Sequence, residues 1–124
     1  MTLVRSDHAR RVETPNAVMT TFASPTQGGS TQALWQVEMT PGALGPVHVM
    51  DAEQIWTVLA GAAAVTVDGE RVDAVAGDTV VLAPGRTRQI AADPASGLTA
   101  IVTGRGADVA SGPGREPTVP PWIA

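Results

Sequence analysis

The chain reads as all-β, a single domain built as a sandwich or barrel of short antiparallel strands. Ten prolines and thirteen glycines break it into short runs rich in Val, Thr and Ile, the pattern of strands punctuated by turns. Apolar residues at helical spacing are almost absent. Asp68-Gly69 also lies between two alternating runs, and a two-residue hairpin needs positive φ at both turn positions.

Residues 1–16 are expected to be an irregular lead-in or an edge strand. Strands are expected at Ala17–Ala23, Ala33–Thr40, Val47–Val49, Gln54–Ala60, Ala63–Val67, Glu70–Val75, Thr79–Ala83, Arg88–Ala92 and Leu98–Thr103. Gly77-Asp78 and Pro84-Gly85 punctuate the later turns. No internal repeat is present, so residues 17–103 are expected to form one barrel. The stretch 104–124 is rich in Gly and Pro and ends Val119-Pro-Pro-Trp122-Ile-Ala. It is expected to dock through Trp122 on the chain's own surface or a partner's.

Alternation assigns faces. Trp35, Val37 and Met39 share one side of their strand, and Gln54, Trp56 and Val58 share one side of theirs. Ile55, Thr57 and Leu59 make the opposite side of that second strand largely apolar as well. Such a strand is expected to be covered on both sides, by another sheet or by a second subunit.

Composition narrows the chemistry. The chain has no Cys and no Tyr, and all eight of its basic residues are Arg. Thiolate, Schiff-base and phenol chemistry are therefore unavailable, leaving His and carboxylates for proton transfer near neutral pH. A net charge of −4 without a basic cluster argues against nucleic acid and anionic membranes. No run approaches the ~18 apolar residues that span a bilayer. The opening Met-Thr-Leu-Val-Arg-Ser-Asp-His lacks the apolar core of a signal peptide, so a cytoplasmic location is the expectation.

The most informative stretch runs from Gly42 to Gly61. It has the spacing G(X)5-His48-X-Met50-(X)3-Gln54-(X)6-G, and a second pattern runs from Gly77 through Gly85 and Arg88 to Ala92. These residues resemble the two motifs of the cupin superfamily, in particular its small single-domain members with an RmlC-like jelly-roll barrel. The resemblance covers roughly residues 17–103. It implies an all-β double-stranded β-helix, often dimeric, with a pocket at one end that in many members holds a metal on a His/His/Glu/His set. Here His48 fills the first His position, Met50 the second, Gln54 the Glu position and Arg88 the last His position. Ala83 and Ala92 replace the Pro and Asn of the second motif. Gln preceded by Glu, as in Glu53-Gln54, resembles a variant found among metal-binding members.

The donor set argues against a metal. Arg88 has only donors and stays protonated, Gln54 offers a neutral oxygen, and Met50 offers a thioether suited to soft ions. No cofactor is expected; a metal, if present, would rest on His48, Gln54 and Met50.

An enclosed guanidinium needs water, an acid or an anionic ligand. Asp51 or Glu53 could supply the acid as a structural ion pair. Alternatively Arg88 could receive a carboxylate, an enolate or a phenolate. It would then lower the pKa of His48 and keep it neutral as an acid/base, with Gln54 orienting the substrate. Trp35, Val37, Met39, Met50, Trp56 and Ile90 would wall the pocket, although either Trp could equally be core. His8 is expected to be a surface residue.

Three functions follow. The leading expectation is a metal-independent isomerase, cyclase or lyase acting on an anionic or aromatic small molecule, with a setting in bacterial secondary metabolism implied by resemblance alone. The others are a non-catalytic small-molecule binding cupin and a metal-dependent dioxygenase or lyase with an unusual ligand set. A homodimer is expected from the resemblance.

Overall fold

The computed structural model describes residues 1–109 and 116–124. Its strands are β1 (Arg10–Glu13), β2 (Val18–Ala23), β3 (Ala33–Met39), β4 (Gln54–Val67), β5 (Glu70–Val75), β6 (Thr79–Leu82), β7 (Arg88–Ala92) and β8 (Leu98–Gly104). A 3-10 turn at Ser6–His8 precedes them. All pairing between strands is antiparallel. The first sheet runs β1-β2-β3-β8-β4, with β6 on the far side of the first half of β4. The second half of β4 lies between β5 and β7 in the facing sheet. Among the described residues no helix is long and apolar enough to cross a membrane.

The lead-in contains the edge strand β1. Gln54–Ala60 and Ala63–Val67, expected as two strands, are one 14-residue strand. The correction lies at Gly61. A bulge against β8 falls between Val58 and Ala60, and Gly61 follows it at φ +72. A Cβ there would lie 2.7 Å from the Gly97 carbonyl carbon. Only glycine lets the strand swing from one sheet into the other without a break.

Val47–Val49, expected as a strand, is not one. Pro41 and Pro46 donate no hydrogen bond, and Gly42 sits at φ +75. What remains is an interrupted ladder of single bridges, Leu44 to Ala91, His48 to Arg88 and Met50 to Asp108. It still holds residues 43–50 alongside β7.

Alternation behaves as the pattern predicts. Ala33, Trp35, Val37 and Met39 are buried while Leu34 and Glu38 are exposed. Across the first sheet, Thr21, Trp35, Val102, Trp56 and Val80 fall in one register row. Both tryptophans therefore flank Val102 on the same inward row. On the outer side Ile55 and Thr57 are half-buried, while Leu59 is 51% and Val81 60% exposed. No second sheet of the described chain covers that face.

Candidate functional site

His48 and Arg88 form a hydrogen-bonded antiparallel pair. His48 N donates to Arg88 O at 3.0 Å, and Arg88 N donates to His48 O at 2.9 Å. Directly opposed residues point their side chains to the same face, here the interior. Period two adds Met50 beside His48 and Ile90 beside Arg88. From the facing sheet, β3 supplies Trp35, Val37 and Met39, and β4 supplies Gln54 and Trp56. These nine residues border one cavity of about 180 Å³. Gly104 makes room for Gln54: a Cβ there would come within 2.8 Å of the Gln54 Cγ and 3.0 Å of the Glu53 carbonyl oxygen.

At the polar end, Arg88 is only 4% exposed. Its Nε and Nη2 both donate to His48 Nε2, at 3.3 and 3.2 Å. Nη2 also donates to Gln54 Oε1 at 2.5 Å, which takes a second hydrogen bond from Trp56 Nε1 at 3.1 Å. A guanidinium has only N–H donors, so Nε2 must be the unprotonated nitrogen. Nδ1 then carries the hydrogen and donates to Pro46 O at 3.1 Å. Burial, and next the charge of Arg88, hold the His48 pKa below its ordinary value, against smaller opposing effects of Pro46 O and Asp108. Burial likewise pushes Arg88 down to about 10, with Asp108 opposing. At neutral pH the pair is a cation facing a neutral imidazole.

The acids expected near Arg88 are elsewhere. Asp51 is exposed, and its Oδ1 accepts from Ala107 N at 2.7 Å. Glu53 is exposed too, and neither pairs with Arg88. Asp51 instead ties down the segment that carries Asp108, and it is Asp108 that borders the cavity and acts on both His48 and Arg88. Residue-level reasoning missed Asp108 because it lies in the Gly/Pro-rich tail, where no periodicity marks a face. Its place comes from a bridge to Met50 and another to Thr118. Met19 on β2 is a second wall residue missed, although its alternation with Thr21 could have found it.

The tail returns to its own barrel. Pro120 and Trp122 border the cavity, Ile123 is 3% exposed, and the buried Thr21 Oγ1 donates to Trp122 O at 2.7 Å. Residues 110–115 of that tail lie outside the described residues.

The residues present do not fit a transition metal. Of the three expected ligands, His48 Nε2 and Gln54 Oε1 already accept N–H groups from a fixed cation, which leaves the Met50 thioether. A site of this kind calls for three or four good donors. Among the described residues, no group of three or more His, Cys, Asp or Glu is placed to hold an ion. The arrangement can instead bind an anion at Arg88 and accept a proton at His48.

Comparison with known proteins agrees with this architecture. A family model described as "Cupin domain" matches residues 35–103. No curated protein matches the sequence. Among solved structures, KdgF from Halomonas sp. superposes with a TM-score of 0.70 at 19% identity, covering 84% of this chain and 92% of that one. An RmlC-like cupin from Shewanella frigidimarina NCIMB 400 gives 0.67 at 17% identity, over 82% and 88%. The polyketide cyclase RemF from Streptomyces resistomycificus gives 0.70 at 18% identity, over 84% and 78%. At these identities the likeness establishes the fold.

Proposed function

We propose that this chain, which belongs to the cupin family, is a metal-independent enzyme that moves a proton on a small molecule held in the barrel cavity. The chemistry is of the isomerase, cyclase or lyase type. His48 is the acid/base, Arg88 stabilises the oxyanion that develops, and Gln54 orients the substrate. The observation that carries this reading is the contact of a buried, charged guanidinium with the unprotonated Nε2 of a neutral imidazole, inside a cavity walled mainly by Trp, Met, Val and Ile, with Gln54, Asp108, Thr14 and Asn16 also on its border. A base must be neutral at working pH, and a pre-placed cation in a dry site stabilises an enolate far better than water does. That a polyketide cyclase shares the fold is compatible with the reading and does not carry it.

The test is exchange of carbon-bound hydrogen α to a carbonyl, followed by proton NMR in D2O over a panel of small aryl and alkyl keto acids. Exchange on at least one member, lost in Arg88→Ala and His48→Ala, supports the enzyme. A second reading, a binding cupin without catalysis, has one observation in its favour: without ligand, the lone pair of His48 is occupied by Arg88. In that case ligands bind, Arg88→Ala removes affinity, and no panel member exchanges.

A further inference from the structure

The guanidinium of Arg88 has side-chain hydrogen bonds to two neutral acceptors, His48 Nε2 and Gln54 Oε1. A carboxylate is a stronger acceptor for a guanidinium than either and matches its fork with two parallel bonds. The apolar part of the cavity starts beside this fork. The whole cavity, at about 180 Å³, compares with the roughly 150 Å³ of an apolar cavity that binds benzene. Trp35 and Trp56, on the same inward row, offer flat walls to a ring.

The edge of Arg88 that presents two parallel N–H groups, Nε and Nη2, is the edge now lying on His48 Nε2. An anion taking that edge must lift it off the imidazole. We infer that the cavity receives a single-ring aromatic carboxylate, and that the carboxylate draws the Nε/Nη2 edge of Arg88 from His48, so that the imidazole becomes a free base only with ligand in place. This rests on the assignment of Arg88 as the anion partner made above. It adds a substrate class and a device that keeps the base covered in the empty site.

The probe is benzoate, with benzamide as its neutral isostere and acetate as the ringless anion, titrated by calorimetry into the whole chain. Benzoate is expected to bind at least tenfold tighter than benzamide and than acetate. In Arg88→Gln the preference over benzamide disappears, and in Arg88→Lys, which keeps the charge without the fork, it shrinks. Nitrogen-15 NMR supplies the second readout: saturating benzoate shifts the His48 Nε2 resonance as its donors leave, and benzamide does not.

Equal affinity for benzoate and benzamide in the parent protein overturns the substrate class. Benzoate binding with an unmoved Nε2 resonance overturns the uncovering of the base. Neither readout needs turnover or a folded variant. Exchange chemistry lost in His48→Ala without anion preference would therefore sink this inference alone, and anion-driven uncovering without exchange on any substrate would sink the catalytic reading alone.

Discussion

Arg88 and His48 are joined twice, by a reciprocal pair of backbone hydrogen bonds and by two guanidinium N–H groups on one imidazole nitrogen. The backbone pair explains the side-chain pair. Once the segment around His48 lies against β7 with Arg88 opposite, both side chains must enter the same interior space. The cation is thus set by the barrel's own register and does not depend on a mobile loop.

A buried charge hydrogen-bonded to neutral side chains costs stability that the charge of Asp108 only partly offsets, consistent with an Arg88 pKa pushed down to about 10 by burial. Replacing it with an apolar side chain of similar length should therefore not unfold the barrel. Arg88→Met is expected to stay within about 1 kcal/mol of the parent in urea unfolding, while anion affinity is lost. A large destabilisation would instead make Arg88 a structural residue.

The His48 pKa is held low, so at mildly acidic pH the folded chain binds fewer protons there than the unfolded chain does. Stability is then full above the ordinary His value of about 6.5 and declines as pH falls from there toward the folded-state pKa. The melting temperature should drop over that window more in the parent than in His48→Gln. His8, the other histidine, is exposed and common to both proteins. Parallel curves for the two would contradict the assignment.

Much of this site was legible in the sequence, for reasons that can be named. The spacing from Gly42 to Gly61 reflects turn and strand lengths that are local, and strand alternation put Gln54 and Trp56 on one face. What stayed hidden was non-local. Asp108 reaches the cavity through bridges to Met50 and Thr118, and Asp51 turned to a backbone amide in the tail instead of Arg88. Gly61 looked like a strand break because a glycine that ends a strand and one that bends it are the same letter.

The tail closes one side of the cavity, held by the bond from Thr21 Oγ1 to Trp122 O and by bonds from Ser24 Oγ, Thr26 Oγ1 and Arg10 Nη2 to Ala124 O. Thr21→Val keeps the shape and leaves the Trp122 carbonyl without its donor, at a cost of about 1–3 kcal/mol. Amide exchange should accelerate at Ile123, whose N–H bonds Pro120 O, while β3 and β8 amides keep their protection. Unchanged exchange at Ile123 would show that the Thr21 bond is not needed to hold the tail, the bonds to Ala124 O being sufficient.

Gly104 gives Gln54 its seat. In Gly104→Ala the new methyl must displace the Gln54 side chain from Arg88 and Trp56. The expected result is a fold retained by circular dichroism with anion affinity lowered severalfold. Affinity equal to the parent's would mean that Gln54 does not support the cation.

The central claim is that His48 is the base, and its most direct test is the rate of α-hydrogen exchange in His48→Gln measured beside its affinity for benzoate. General base catalysis contributes about 10²–10⁴-fold. Exchange is therefore expected to fall by at least about 100-fold, with benzoate affinity at or above the parent's because Arg88 keeps its charge. Exchange that survives the substitution at the parent's rate would contradict the account.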